Sequence, residues 1–329
     1  MKVRVVHDDA IRLGDWLKAR SVDVAYLDPP FAVGIDFRAR TKKGELRAGG
    51  ASAGPVAYVD RWDTLDAYLA WLEARLVVVR DLLSERGSMW LHLDARAVHE
   101  AKCVCDRVFG RAAFRGEIVW VPGNGVKARR GPGLAHQTLL FYARSDDFVW
   151  NARHPSLREP YAKTSLAMHF RERDDDGRLY RERTINAKTY RYYADEGRAL
   201  GSVWTDCPSM VANTPLRSET TGYPTQKPLK LLDRVVRASS EEGALVLDPF
   251  CGSGTTLHAA VRAGRRAVGS DTSDLAVGIV ATRLRRAKVE VEIVRPPARP
   301  RDDSASPARQ KRDGGRARLP RTTGGKPRG

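Results

Sequence analysis

The stretch from residue 229 to residue 294 constrains this chain most, because helix and strand patterns alternate there without a break. Residues 229–238 carry apolar side chains at helical spacing, 244–247 form a short apolar strand, and 255–263 are helical again. A strand at 266–269, a helix at 275–287 and a strand at 289–294 complete the run. Strands separated by helices of this length predict an α/β domain with a mostly parallel, doubly wound sheet.

The first part of the chain obeys the same rule. Residues 22–27 (V-D-V-A-Y-L) form an apolar run that stops at Asp28-Pro29-Pro30, since two prolines end strand pairing and force a turn. Leu65, Tyr68, Leu69, Leu72, Leu76, Val79, Leu82 and Leu83 recur at helical spacing, with Gly87 read as the stop. Residues 88–94 then read as a strand, and 97–108 as a second helix. Strands are expected at 117–121 and 138–143, on either side of a Gly/Arg-rich link at 123–133. Residues 41–54, rich in Lys, Gly and Ala, read as a mobile loop. From 151 to 217 the periodicity fades and charges mix with tyrosines, which predicts an inserted lobe outside the central sheet.

Charge has to be divided before it is interpreted. The net charge is +17, and residues 295–329 supply eleven Lys or Arg against three Asp, leaving +9 for the rest. That tail lacks hydrophobic periodicity and is read as disordered, either merely solubilising or attracted to phosphates. The body's surplus suits a polyanionic partner. There is no run of apolar residues long enough for a membrane span and no signal-peptide pattern, so a cytoplasmic protein without membrane association is expected. Cys103, Cys105, Cys207 and Cys251 form neither a disulfide framework nor a zinc pattern, and Cys103 and Cys105 are expected buried on a helix.

Two loops carry chemistry. Asp248-Pro249-Phe250-Cys251-Gly252-Ser253-Gly254-Thr255 joins a strand to a helix, and Gly252 and Gly254 permit close backbone approach to a ligand. Asp271 ends the next strand, where an acid can bind ribose hydroxyls. No phosphate-loop motif and no complete G-x-G-x-x-G is present, so a nucleoside without pyrophosphate fits better than ATP or NAD. The second loop is Asp28-Pro29-Pro30-Phe31. A carboxylate and a rigid backbone carbonyl that accept both N–H bonds of an exocyclic base amine would free its lone pair for attack on a methyl sulfonium. An adjacent aromatic ring would stack on a flipped base. Both loops sit at strand carboxyl ends, where open α/β sheets bind ligands.

These motifs, in this order, resemble the amino-group DNA methyltransferases of the β arrangement. The likeness extends to Val5-Val6-His7-Asp8-Asp9, Trp90-Leu91-His92-Leu93-Asp94, residues 115–120 and Pro224-Thr225-Gln226-Lys227-Pro228. It implies a Rossmann-like S-adenosylmethionine-dependent methyltransferase fold with an inserted target-recognition lobe. It divides the chain into a catalytic half (1–123), a target-recognition region with a flanking core strand (124–217), a cofactor half (218–294) and the basic tail (295–329).

By position, the resemblance makes Asp28, Pro29, Pro30 and Phe31 catalytic. It gives S-adenosylmethionine to Asp9, Asp28, Gln226, Lys227, Asp248, Phe250, Gly252, Gly254, Thr255 and Asp271, and expects no metal. It implies double-stranded DNA as the partner, and the family's habits admit a homodimer and a cognate restriction endonuclease. Asp28 at the head of the loop favours adenine N6 over cytosine N4. RNA or protein amine methylation, and an inactive DNA-binding fold, are the competing readings. The chain departs from the family at Cys251, where Ala or Gly is common, and at Asp271, where Glu is commoner. Cys207-Pro208 reverses the Pro-Cys of cytosine-C5 enzymes, so no covalent cysteine mechanism is expected.

Overall fold

The structure is a computed structural model that describes residues 2–39, 54–123, 125, 128–210 and 218–297. The expected loop at 41–54 (save Gly54), parts of the 124–217 region, and the basic tail beyond Pro297 lie outside the described residues.

Among the described residues, nine strands form the central sheet. In chain order they are β1 (Lys2–Val6), β2 (Val22–Leu27), β3 (Leu83–Leu93), β4 (Phe114–Trp120), β5 (Gln137–Ala143), β6 (Val203–Trp204), β7 (Leu245–Asp248), β8 (Arg266–Ser270) and β9 (Glu290–Val294). Their spatial order is β6-β4-β5-β3-β2-β7-β8-β1-β9, and only β5 runs against the others. This is the doubly wound, mostly parallel sheet expected from the alternation.

Burial on both faces follows from the sequence. Val24, Tyr26 and Val246 enter one apolar cluster, and Ala25, Leu27 and Leu247 enter the other, as the two-residue period of a strand requires. Helices α1 (Leu65–Leu82) and α2 (Val98–Phe109) cover the second face; α3 (Leu229–Ser239), α4 (Thr255–Arg262) and α5 (Asp274–Arg286) cover the first. Thr64 caps α1 by accepting the Ala67 N–H, and Ser273 caps α5 by accepting the Ala276 N–H. No helix among the described residues is long and apolar enough to cross a membrane.

Four features differ from the sequence reading. Gly87 does not stop α1; the helix passes into β3 at Leu83, and Gly87 lies within the strand. It sits where the β2–β3 register shifts, and a Cβ there would lie 2.7 Å from the Val22 carbonyl oxygen, so close backbone approach explains the glycine. Second, Ile35–Arg38 and Val56–Asp60, to which the sequence reading assigns no element, pair antiparallel on either side of the undescribed segment. Third, the segment after 151 is not wholly separate from the sheet. Val203–Trp204 adds its edge strand, and Leu157, Trp204 and Cys207 are buried in the main core. Fourth, Cys105 is buried but Cys103 is exposed.

Candidate active site

The chain leaves β2 toward β3 on one side and leaves β7 toward β8 on the other. Where neighbouring parallel strands part in this way, the loops at their carboxyl ends open a crevice. A cleft of about 510 Å³ lies there, with Asp28, Lys227, Asp248 and Asp271 in its walls. Of the thirteen residues singled out from sequence, all but Gly254 line it.

Asp28 follows directly on β2. Lys227 Nζ donates to both of its carboxylate oxygens, each at 2.6 Å, and lies 5.0 Å from the centre of the Phe31 ring. Burial pushes the Asp28 carboxyl above the ordinary aspartate value, and the adjacent ammonium pulls it back. Lys227 therefore contacts the proline loop, rather than serving only as the cofactor-side support read from sequence.

The loop's shape comes from Asp60, which sequence reasoning missed. Its Oδ2 accepts the Phe31 and Val33 N–H groups at 3.1 and 3.0 Å, around Ala32 at φ 57°, and its Oδ1 accepts the Trp62 indole N–H at 3.0 Å. Successive N–H groups about a left-handed residue form an anion-binding nest, and here the anion is the protein's own carboxylate. Beneath Phe31, the Tyr26 hydroxyl and His92 Nδ1 are 2.6 Å apart and fully buried. Burial lowers the imidazole's basicity and raises the phenol, so a neutral His92 and a neutral Tyr26 share this hydrogen bond.

On the other wall, Asp248 Oδ1 accepts the Phe250 N–H at 3.1 Å, and burial pushes this carboxyl up to about 7. Asp271 accepts the Gly252 N–H at 2.9 Å and the Ser273 N–H at 2.9 Å, tying the glycine loop to the end of β8. Gly252 has φ 46°, and a Cβ on it would meet the Tyr223 ring at 3.0 Å. Gly254 faces away. It caps α4 at φ 72° and abuts Val280 of α5, so its absent side chain serves helix packing.

Thr255 Oγ1 donates to the Lys227 carbonyl at 3.1 Å and accepts from buried Arg283 at 2.8 Å. The Gln226 amide is spent within its own loop, accepting from Thr221 and donating to the Glu219 carbonyl. Asp9 holds the Ile11 N–H and pairs with Arg75, which stacks on Trp71. The Val56–Asp60 strand completes the wall, with Tyr58 stacked between Phe37 and Tyr223 and its hydroxyl 3.2 Å from Thr225 Oγ1.

Six aspartates and one lysine line the cleft of a chain whose net charge is +17. Asp8, Asp9 and Asp28 are paired with Arg12, Arg75 and Lys227, and Asp248 keeps its proton up to about 7. The surplus negative charge of the wall therefore rests on Asp60 and Asp271 and disfavours phosphates. Buried Cys251 has its thiol pushed well above the ordinary range, which keeps it protonated and un-nucleophilic. Among the described residues no group of His, Cys, Asp and Glu is arranged to hold a metal.

Residues 22–281 match the N6/N4 methylase family model, described as DNA methylase. The chain is 27% identical over 314 residues to the type II methyltransferase M.EcaI of Enterobacter cloacae, covering 82% of this chain but 66% of that protein, just under two thirds. It is 24% identical over 267 residues to the DNA adenine methyltransferase YhdJ of Escherichia coli (strain K12), covering 80% of this chain and 76% of that one. The M1.HpyAVI–SAM complex shares its fold, with a TM-score of 0.50 and 17% identity over 86% of this chain and 98% of that one.

Proposed function

The chain belongs to the N6/N4 DNA methylase family, and on that premise we propose that it transfers a methyl group from S-adenosylmethionine to the exocyclic amino group of a flipped-out base in double-stranded DNA, adenine N6. The observation that carries this reading is the position of Asp28. Its carboxylate is buried, paired with Lys227 and beside Phe31, in the same cleft as the Gly252 loop and Asp271.

The cleft fits the cofactor chemically. S-adenosylmethionine has a sulfonium, an ammonium and ribose hydroxyls but no phosphate, which suits a wall where Asp60 and Asp271 carry the surplus negative charge and Lys227 is already paired. Asp271 would accept from the ribose, while Phe250, Gly252 and Thr255, with Asp248 behind them, would border the methionine portion. Asp9, Gln226 and Gly254 would shape this wall rather than touch the ligand, because their polar groups or packing are committed elsewhere. Bound there, the cofactor would supply an electrophilic methyl group; no metal is required.

The chain's own residues would do the rest. Asp28 and the Pro29–Pro30 backbone would accept the two N–H bonds of the base amine and free its lone pair. Each Asp28 oxygen already bonds Lys227, yet a carboxylate oxygen has two lone pairs and can accept a second donor. Lys227 would keep the buried carboxylate ionised until the amine arrives, and Phe31 would stack on the base. Asp28 is the nearest base for the proton that the methylated amine must shed. Neutral His92 and Tyr26 would brace Phe31 from below.

Asp at the head of the loop supports adenine. Residues 124–217 would form the target-recognition region, and the DNA duplex would be the main partner; a cognate endonuclease and a homodimer belong to the same reading. The test is to incubate the chain with unmethylated genomic DNA and labelled cofactor and digest the DNA to nucleosides. The expected product is N6-methyladenine. N4-methylcytosine alone would overturn the choice of base, and transfer only to RNA or protein would overturn the substrate.

A further inference from the structure

The inserted segment contains a small antiparallel sheet of Glu172–Arg173, Leu179–Ile185 and Lys188–Tyr193. Its register assigns every side chain to a face, because directly paired residues point the same way. One face carries Glu172, Tyr180, Glu182, Thr184, Thr189, Arg191 and Tyr193; the other carries Arg173, Leu179, Arg181, Arg183, Ile185, Lys188, Tyr190 and Tyr192.

The contacts agree with this division. Arg191 bonds Glu182 at 3.0 Å and lies over Tyr180, and the two threonine hydroxyls are 3.0 Å apart. Both carboxylates of the described strands therefore lie on the first face, Glu182 bonded to Arg191, while Arg178 from the preceding turn lies over Tyr193 and pairs with Asp195 and Glu196. The second face has four cations, two tyrosines and no carboxylate.

Near the root of that second face, Arg181 is enclosed by the rings of Tyr161, Phe170 and Tyr192. The adjoining segment from Tyr161 to Arg171 contributes Lys163, His169 and Arg171 and no acid. Toward the tip the face is open: Arg183, Ile185, Lys188 and Tyr190 are exposed, and Arg183 and Lys188 make no ion pair among the described residues. Asn186 and Ala187 both have positive φ, the signature of a tight two-residue hairpin turn, so the tip is narrow and twisted with its strands.

We infer that the outer half of this face, with Arg183 and Lys188 as phosphate contacts and Tyr190 between them, is a docking surface for the DNA duplex. An unpaired cationic strip with an apolar tip complements a phosphate backbone, and a two-stranded ribbon is narrow enough for the major groove. The inference rests on the DNA reading above and goes beyond it by choosing one face of one hairpin.

The test measures duplex binding to the full chain across a salt series by fluorescence anisotropy, with methyl transfer at saturating duplex measured alongside. Arg183→Gln and Lys188→Gln should each reduce the slope of log affinity against log salt by about one, and together by about two, without sequence preference. Arg191→Gln removes the same charge from the opposite face and should leave the slope unchanged, and turnover at saturation should survive in all three. Equal slope changes for Arg183→Gln and Arg191→Gln would overturn the choice of face while leaving the DNA reading intact. Unchanged slopes in every variant, with wild-type transfer normal, would overturn the hairpin surface alone. A wild-type chain that binds single-stranded RNA but no duplex would overturn both.

Discussion

The Lys227 ammonium lies 2.6 Å from each carboxylate oxygen of Asp28, although 199 residues separate them in the chain. The pair links the loop after β2 to the turn before α3, so the two halves of the sequence meet at one charged contact in the cleft. Both partners are largely buried, and removing either leaves the other charge without compensation.

Lys227→Met should therefore raise the Asp28 carboxyl further, since burial already pushes it up and only Lys227 opposes that push. An aspartate that must be ionised to accept the amine then works only at higher pH. The acid limb of the kcat/KM profile should move to higher pH, with a loss at neutral pH on the order of a hundredfold. Lys227→Arg, which keeps the charge, should retain part of the activity. An unmoved profile in Lys227→Met would show that the ammonium does not set the state of Asp28.

Asp60→Ala should both loosen the fold and impair catalysis. The fully buried carboxylate satisfies three N–H groups, and removing it should cost about 3 kcal/mol in denaturant unfolding. Turnover should fall as well, because Ala32 loses the nest that holds it at φ 57°. A variant as stable as wild type would show that the nest is not a structural requirement.

The two glycines should separate into different functions. Gly252→Ala sets a methyl group against Tyr223 in the cleft and should weaken cofactor binding roughly tenfold by calorimetry, the scale of a methyl-sized misfit in a pocket. Gly254→Ala meets Val280 at 3.1 Å behind the cleft, and its main effect should be a drop in stability of about 1–3 kcal/mol. The reverse pattern would exchange their roles.

Asp248 makes the stability of the cofactor-free protein pH-dependent. Its buried carboxyl keeps a proton up to about 7, whereas the unfolded chain gives that proton up at about 4. Between those values the folded state binds more protons, so this group's contribution to stability falls as pH rises and levels off above about 7. Asp248→Asn should raise Tm relative to wild type at pH 8 and change it little at pH 4. A Tm difference independent of pH would contradict the assignment.

These predictions draw on residues of unequal legibility. The Asp28 and Gly252 loops are readable because a strand ending in proline or glycine is a local signal, and the helix–strand alternation places both at carboxyl ends. Asp271 is readable for the same reason. Asp60 is not, because nothing in Val56–Asp60 shows that the strand returns to the Asp28 loop; only pairing with Ile35–Arg38 brings it there. The motif around Lys227 assigns it to the cleft, but its partner depends on how α3 packs, which spacing cannot give. Gly254 reads as a ligand-facing glycine because a tight turn and a close helix contact require the same residue.

The most direct test of the central claim is methyl transfer by Asp28→Ala to unmethylated duplex DNA, with S-adenosylmethionine affinity measured on the same preparation. The expected result is transfer reduced at least on the order of a thousandfold, with cofactor affinity changed only a few-fold. Transfer at the wild-type rate with cofactor bound normally would contradict the assignment of Asp28 as the group that holds the base amine.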